Sequence, residues 1–312
     1  MKEPFDSVLL IGFGGPTKSD EIRPFLNNVL SGRPVPPERY EEVVHHYELL
    51  GGFSLYNELT FRQAEALRQC LYRTDSSLAV YIGMRNWSPY IKDTMEQMVR
   101  EGGRKTVGFI LAPHRTEASW ERYQSYVSEA QKHLGPHAPQ VSYVEPWYDH
   151  PLFLEAAAAR VKEALADSGS KNTDQSVLLF TAHSVPLAMA NHSSYVEEIK
   201  TSAAGVAALL GRSNWSIAYQ SRSGNPNVPW LEPDVNEVIR DLARQGVYEV
   251  VLVPIGFLCD HVEVLYDLDV EARQTAEEAG VHFIRAGTVG DHPKFIEMMA
   301  QVIRQKEEEE AV

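Results

Sequence analysis

The segment EVVLVPIGF, residues 249–257, decides the fold class of this chain. Its apolar residues follow one another without alternation, which is typical of a strand in a parallel sheet covered on both faces. Seven similar runs occur, and helix-length segments separate them: VLLIGF (8–13), LAVYIGM (78–84), TVGFILA (106–112), VSYVEPW (141–147), VLLFTAHS (177–184), WSIAYQS (215–221) and HFIRAG (282–287). The sequence therefore predicts an α/β protein with parallel sheets.

A polar break, ADSGSKNTDQS at residues 166–176, leaves four of these runs on each side. Because such a break is typical of a loop, we expect two doubly wound domains, at 1–165 and 176–290. The C-terminal helix, 292–312, is expected to pack back on the first domain. In doubly wound sheets ligands bind beyond the carboxyl ends of the strands, so the residues that follow each run are the candidates for function.

The charge and cysteine content exclude several classes of protein. The chain of 312 residues has 29 basic and 43 acidic side chains, a net charge of −14, which argues against nucleic acid as a general partner. Its two cysteines, Cys70 and Cys259, form no metal-binding pattern and favour a reducing compartment. The first apolar run is too short for a signal peptide, and no run is long enough to span a membrane, so we expect a cytoplasmic protein.

An acidic ladder follows the run at 249–257. Glu263, Asp267 and Glu271 are spaced four residues apart in HVEVLYDLDVE, residues 261–271. On an α-helix this spacing drifts by only about 80° over the three positions, so the carboxylates share a face and repel one another. A solvated acidic face is one interpretation, and a face that handles a cation is the other.

His183, in TAHSVP (181–186), also follows a strand. A histidine and a carboxylate such as Glu263 can exchange protons near neutral pH, and both side chains can bind metals. A structural histidine is the alternative. A serine hydrolase that uses Ser184 is disfavoured because there is no G-x-S-x-G elbow, and a zinc hydrolase because there is no H-E-x-x-H. GFGGP (12–16) matches neither common nucleotide-binding motif, so we interpret it as a tight turn.

Aromatic residues near the strand ends suggest broad apolar walls: Phe13, Trp87, Tyr90, Trp120, Tyr126, Trp147 and Trp230. Ordinary core packing is the alternative for each. A histidine, an acidic ladder and aromatic walls together suit a flat aromatic ligand that exchanges protons for a metal cation.

Eight segments, in order along the chain, resemble the ferrochelatase family, and most closely the short bacterial type that acts on coproporphyrin III. They are GFGGP (12–16), HYELLGGFS (46–54), YIGMRNWSP (81–89), LAPHRT (111–116), WYDHP (147–151), TAHSVP (181–186), QSRSGNPNVPWLEPD (220–234) and PIGFLCDHVEVLYDLDVE (254–271). The resemblance implies two Rossmann-like domains with an active-site cleft between them. It also implies insertion of Fe²⁺ into a porphyrin, with release of two protons.

The resemblance assigns the catalytic roles to His183 and Glu263. His183 is expected to accept protons and to contact the metal, while Glu263 holds the His183 tautomer and passes protons or metal onward. Asp267 and Glu271 are then expected to continue a transit route for the metal. The family's helix at this point can carry a π-type bulge.

The expected porphyrin contacts are Phe13, Arg33, Tyr47, Ser54, Tyr126 and Trp230. The chain departs from the family at several positions. Phe13 replaces a tyrosine that many members of the coproporphyrin type have, so a Tyr-ligated product is not expected. Asn86 replaces a histidine found in some members, which argues against a peripheral metal site there. Leu30 and His46 occupy positions where relatives have arginine.

Fe²⁺ is expected as a substrate, and no prosthetic group is expected. A [2Fe-2S] cluster needs four cysteines, more than the chain has. The implied partners are a porphyrin, Fe²⁺ and transient contacts with other enzymes of haem biosynthesis, and a monomer is expected. Two alternatives remain: a protoporphyrin IX ferrochelatase that makes protohaem, and a non-catalytic tetrapyrrole or metal carrier.

Overall fold

The computed structural model describes residues 4–32, 35–74, 76–170, 175–223 and 228–311. The chain divides into two compact units. The first comprises Met1–Pro113, Glu117–Trp147 and Asp291–Val312, and the second comprises His114–Thr116 and Tyr148–Gly290. Each contains one parallel sheet of four strands, which confirms the predicted α/β class and the eight predicted strands.

The sheet of the first unit is formed by β1 (Ser7–Gly12), β2 (Ala79–Met84), β3 (Lys105–Ile110) and β4 (Gln140–Tyr143), in the order β2-β1-β3-β4. Helices α3 (Tyr56–Tyr72) and α12 (Pro293–Ala311) pack together on this sheet, as do α4 (Ile91–Arg100) and α5 (Arg122–Leu134). Two further helices, α1 (Ile22–Leu30) and α2 (Pro37–Leu49), follow the first strand. Every residue of β1 is buried, as its unbroken apolar run predicts.

The second unit repeats this topology. Its sheet has the order β6-β5-β7-β8, with β5 at Val177–His183, β6 at Trp215–Gln220, β7 at Glu249–Val253 and β8 at His282–Arg285. Helices α6 (Pro151–Ser168) and α8 (Tyr195–Leu209) form one pair that covers the sheet, and α7 (Leu187–Asn191) lies between β5 and α8 along the chain. Helix α9 (Val235–Arg244) packs on β6 and against the helical segment that follows β7.

That helical segment begins with α10 (Val262–Val264), continues as a π-helix (Leu265–Ala272) and ends with α11 (Arg273–Glu278). Its apolar residues Val264, Leu268, Ala272 and Ala276 repeat every four positions and are all fully buried. The sheet-facing side of the segment is therefore fixed by its own apolar stripe, and the three acidic residues of the ladder lie one position before Val264, Leu268 and Ala272.

The boundary between the units differs from the expected one near residue 165. Helix α6 belongs to the second unit, where it packs on α8 and contacts β7 and β8. Arg160 on this helix donates to the carbonyls of Thr288 and Val289 after β8, at 3.1 Å and 3.3 Å. The polar break therefore marks the loop between α6 and β5, because a change in composition reports exposure and not the sheet on which a helix packs.

The C-terminal helix α12 belongs to the first unit. Lys105 on β3 pairs with Glu310 at 2.9 Å, and Arg62 on α3 pairs with Asp291 at 2.6 Å. Phe295 packs against Trp147, which stacks on Phe109 with ring centroids 5.5 Å apart. Trp147 and Trp120 are therefore core residues of this unit and not walls of a ligand site.

Candidate active site

His183 is the last residue of β5, the strand that has β6 on one side and β7 on the other. Strand order reverses at this point, which is where ligands bind to doubly wound sheets. The Tyr195 hydroxyl donates to the His183 carbonyl at 2.9 Å and fixes the backbone there. The His183 ring is partly exposed, with 31% of the side chain accessible, so it can meet a ligand.

The backbone carbonyl of Ser184 determines which ring nitrogen of His183 can act as a base. Nδ1 of His183 contacts this carbonyl oxygen, which can only accept a hydrogen bond. In the neutral ring Nδ1 therefore carries the hydrogen, and Nε2 has the lone pair. The tautomer is held by Ser184 and not, as predicted, by Glu263, because Oε2 of Glu263 lies 3.9 Å from the ring, beyond hydrogen-bonding distance.

Glu263 faces the reactive nitrogen. Its Oε2 lies 3.9 Å from Nε2 of His183, and 45% of its side chain is exposed. It lies in the first turn of the helical segment 262–278, where the helix dipole favours a negative charge. When Nε2 takes up a proton, the carboxylate of Glu263 is close enough to stabilise the resulting imidazolium.

His261 fixes the backbone beside Glu263 and was not singled out from the sequence. Its Nδ1 accepts a hydrogen bond from the Glu263 backbone N–H at 3.2 Å. Burial lowers the pKa of His261, although the nearby carboxylates of Glu263 and Asp260 oppose the shift. A neutral ring with Nδ1 free to accept is therefore favoured, and the only sequence signal for it is its position at a helix start.

The acidic ladder lies on helix of unusual pitch. Asp267 and Glu271 belong to the π-helix, whose hydrogen bonds close one residue later than those of an α-helix. The hydroxyl of Ser221, which follows β6, donates to Oδ2 of Asp267. Along this line Glu263 and Asp267 are half-buried and Glu271 is exposed. Over the part of the chain that the structure describes, no three His, Cys, Asp or Glu side chains converge on a common metal position.

Arg285 holds this helical segment at two points. Its guanidinium pairs with Asp260 at 2.9 Å, just before the segment, and with Asp269 at 2.7 Å, inside the π-helix. Burial lowers the pKa of Arg285, but the two carboxylates outweigh burial and raise it overall. The charge of this half-buried arginine is therefore compensated by two carboxylates.

The structure disfavours a nucleophilic serine next to His183. Ser184 is 2% exposed, and its hydroxyl donates to the Leu231 carbonyl at 2.9 Å. Trp230, one of the predicted ligand contacts, forms a bridge with Pro186 and is half-buried. Within the second unit, the structure thus brings His183 and Glu263 together and places Trp230 beside the turn that follows β5.

In the first unit, Phe13 directly follows β1, which occupies the same place in its sheet as β5 does in the sheet of the second unit. Its backbone N–H donates to the Tyr56 hydroxyl at 2.9 Å, and its carbonyl accepts from the backbone and side chain of Asn86. Asn86 is 1% exposed and holds the Phe13 turn through these two hydrogen bonds. The absence of a peripheral metal site at Asn86 stays a prediction. The Phe13 ring packs edge-on against Phe25 at 6.1 Å.

Tyr47 and Ser54 lie close to the same turn. Tyr47 packs edge-on against Phe25, and the Ser54 N–H donates to the Pro16 carbonyl at 2.8 Å. A Cβ at Gly15 would lie 2.8 Å from Ser54, so GFGGP is a closely packed turn, as predicted. Arg33, the remaining predicted porphyrin contact, lies outside the described residues.

Tyr126 on α5 is linked to Phe13 through Arg85, a residue that sequence reasoning missed. The guanidinium carbon of Arg85 lies 5.6 Å from the ring centroids of both Phe13 and Tyr126, and 5.8 Å from that of Tyr123. Its position directly after β2 in YIGMRNWSP was the available signal. The first unit thus offers a half-buried surface in which aromatic rings surround one cation.

Known proteins are similar to this chain over nearly its whole length. The family model described as Ferrochelatase matches residues 6–307. The Ferrochelatase of Rhodopirellula baltica is 39% identical over 304 residues, 97% of this chain and 86% of the relative. The Coproporphyrin III ferrochelatases of Mycolicibacterium smegmatis and Mycobacterium avium are 39% and 41% identical over 302 residues, 96% of this chain and 89% and 87% of those proteins.

Solved structures agree on the fold. The sirohydrochlorin chelatase SirB of Bacillus subtilis subspecies spizizenii, in complex with cobalt, superposes with a TM-score of 0.56 at 13% identity, over 97% of this chain and 96% of that one. SirB from Bacillus subtilis with Fe³⁺ gives a TM-score of 0.58 at 12% identity, over 96% and 95% of the two chains. At these identities the likeness concerns the fold alone.

Proposed function

The chain belongs to the ferrochelatase family of metal chelatases, and we propose that it inserts Fe²⁺ into coproporphyrin III to form Fe-coproporphyrin. The observation that carries the proposal is the pairing of His183 Nε2 with the Glu263 carboxylate at the end of β5. A non-catalytic carrier would need a binding surface but no proton acceptor opposed to a carboxylate. The tautomer held by Ser184 is therefore evidence for chemistry beyond binding.

The proposal of coproporphyrin III as the substrate rests on the names of the relatives and on the polar residues expected to contact the porphyrin. Both mycobacterial relatives carry coproporphyrin III in their names. Coproporphyrin III has four propionates where protoporphyrin IX has two propionates and two vinyl groups, so it needs more polar contacts. Tyr47, Ser54 and Tyr126 are proposed as hydroxyl donors to these carboxylates, with Arg33 as a cation.

Charge balance determines the steps. When Fe²⁺ enters, it displaces two pyrrole protons, so the centre of the macrocycle has no net change in charge and two protons leave. Nε2 of His183 accepts a proton in the proposed mechanism, and Glu263 stabilises the imidazolium and passes the proton onward. A flat porphyrin keeps its nitrogen lone pairs in the ring plane, and the binding energy is expected to bend it.

The acidic ladder is proposed as the route for metal and protons. Glu263, Asp267 and Glu271 continue from half-buried to exposed positions along one helical segment. A divalent ion moves along such a line only if each site attracts it weakly. One carboxylate at each step, with Ser221 already bonded to Asp267, fits that requirement.

Further predictions accompany this function. Fe²⁺ is the substrate, and the absence of a [2Fe-2S] cluster stays a prediction that rests on the two cysteines. Both cysteines, Cys70 and Cys259, are reduced thiols. Action as a monomer, transient contacts with haem-pathway enzymes and a cytoplasmic location also stay predictions. Within the described ranges, no helix is both long and apolar enough to cross a bilayer.

The test is an anaerobic assay of metalloporphyrin formation by absorbance, with Fe²⁺ and either coproporphyrin III or protoporphyrin IX. Faster turnover of coproporphyrin III is expected. Preference for protoporphyrin IX would refute the proposed substrate and leave the proposed chemistry of metal insertion unchanged. Binding of either porphyrin without metal insertion would favour a carrier.

The variant His183→Ala tests the residue assignment. It should lower metal insertion at least about 100-fold, because a positioned general base contributes that much or more. Porphyrin binding should persist. His133→Ala, an exposed histidine paired with Glu96, is the matched control and should keep parental activity. Parental activity in His183→Ala would refute the assignment.

A further inference from the structure

Arg85 is a buried cation without a counter-ion in the described structure. The residue is 8% exposed, and none of the described acidic side chains forms an ion pair with it. Its Nη1 donates to the Ala118 carbonyl at 3.1 Å, while Nε is buried and has no hydrogen-bond partner. Burial, and to a smaller extent the nearby charge of Arg122, lowers the pKa of Arg85, although a hydrogen bond with the Tyr126 side chain opposes the shift.

The three aromatic rings around Arg85 offset only part of this cost. A cation beside an aromatic face gains about 0.5–2 kcal/mol, while an unpaired buried charge costs several kcal/mol. Arg285 provides the contrast in the same chain, since it is half-buried, with 13% of its side chain exposed, and two aspartates hold it. An arginine that serves the fold is thus compensated here, and Arg85 is not.

The position of Arg85 indicates where the missing anion comes from. The guanidinium lies between Phe13 and Tyr126, both proposed to contact the porphyrin. Among the proposed porphyrin contacts that the structure describes, none is cationic: Phe13, Tyr47, Ser54, Tyr126 and Trp230. Four propionates therefore have few positive partners in this acidic protein.

We propose that Arg85 and Tyr126 form a carboxylate-binding subsite, and that one propionate of the porphyrin supplies the counter-ion of Arg85. The guanidinium N–H groups and the Tyr126 hydroxyl donate to the carboxylate oxygens. This inference rests on the proposed function and adds a specificity-determining residue to it. Phe13 then has a second role, because its ring helps to hold the cation while the substrate is absent.

The test separates charge recognition from packing. The dissociation constant of metal-free coproporphyrin III and of its tetramethyl ester is measured by fluorescence, in the same non-ionic detergent, for the parent, Arg85→Met and Arg85→Lys. Arg85→Met should bind coproporphyrin III about 10- to 100-fold more weakly, as expected for a lost charge-assisted hydrogen bond. Its affinity for the ester should change less than about threefold. Arg85→Lys should restore part of the loss.

A second measurement, the melting temperature, tests whether Arg85 stabilises the fold. The melting temperature of ligand-free Arg85→Met should equal or exceed that of the parent, because an uncompensated charge is replaced by an apolar chain of similar length. Arg285→Met, the matched control, should melt lower because it removes the ion pair of Asp260 and leaves Asp269 with only its longer pair to Arg273, at 3.4 Å. Arg68→Gln, on an exposed arginine paired with Glu65, should bind coproporphyrin III as the parent does.

Three outcomes would overturn the inference. The first is an equal loss of affinity for acid and ester in Arg85→Met, and the second is no loss for either. The third is a lower melting temperature of ligand-free Arg85→Met, combined with parental binding by its folded fraction. If one of these outcomes occurs and the parent protein still inserts iron into coproporphyrin III, only the proposed role of Arg85 is refuted. If the parent protein binds no porphyrin, the proposed function is refuted as well.

Discussion

Replacing Glu263 by glutamine tests whether its charge assists proton uptake at His183. The change keeps the size of the side chain and removes the negative charge that lies 3.9 Å from Nε2. At this distance two unit charges interact by about 4 kcal/mol at an effective dielectric constant of about 20, and by about 1 kcal/mol in bulk water. Since the two side chains are 31% and 45% exposed, solvent screens the pair substantially.

We therefore expect a loss of about 1–2 kcal/mol of transition-state stabilisation in Glu263→Gln, which corresponds to a roughly 5- to 30-fold lower kcat. The assay is metalloporphyrin formation under saturating porphyrin and Fe²⁺. The dissociation constant for metal-free porphyrin should stay close to the parental value, because the imidazolium forms only during the reaction.

Glu237→Gln is the matched control, since it removes an exposed carboxylate from the first turn of α9 in the same unit. Its kcat should be parental. A kcat of Glu263→Gln within twofold of the parent would refute the electrostatic role of Glu263. An equal loss in both variants would refute it too, because net charge and not the pair with His183 would then be responsible.

The remaining predictions concern stability. Tyr195→Phe removes the hydrogen bond to the His183 carbonyl and should lower the free energy of unfolding in urea by about 1 kcal/mol. The kcat should also fall, because His183 is held less firmly. An unchanged free energy of unfolding would contradict this prediction. Arg285→Met removes the ion pair of Asp260 and leaves Asp269 with only its longer pair to Arg273, at 3.4 Å, and should cost about 2–3 kcal/mol, or about 5–10 °C in Tm by calorimetry. An unchanged Tm would contradict this. Burial lowers the pKa of His114 to about 3, below its unfolded value near 6.5, so its contribution to stability is complete above pH 6.5 and is lost as the pH falls toward 3. Between pH 6 and pH 5 the parent should therefore lose about 1 kcal/mol more than His114→Gln, measured by urea unfolding at both pH values; equal losses would contradict this.

The layer architecture was predictable because it follows from local patterns. Unbroken apolar runs such as VLLIGF and EVVLVPIGF can be buried only where helices cover both faces of a sheet, and all eight runs became parallel strands. The spacing of the apolar residues also aligned the helical segment 262–278 on its sheet. The boundary between the units could not be obtained this way, because α6 is placed by its packing on α8.

The candidate site was only partly predictable. His183 and Glu263 stood out because each follows a strand and each has a titratable side chain. The Ser184 carbonyl that holds the tautomer has no sequence signature, since every residue has a carbonyl. Arg85 was missed for a similar reason, because an arginine after a strand is ordinary until its surroundings are known: here they are aromatic rings, with no ion pair to an acidic residue in the described part of the chain.

The sequence by itself determined the two parallel sheets, the strand ends that carry chemistry and the family, because periodicity and ordered motifs are local properties of the chain. The tertiary structure alone decided which charges are compensated. Arg85 directly follows β2 and Arg285 is the last residue of β8, yet one lies among aromatic rings and the other between two aspartates. Electrostatic energy depends on distance and burial, which are set by residues far apart along the chain.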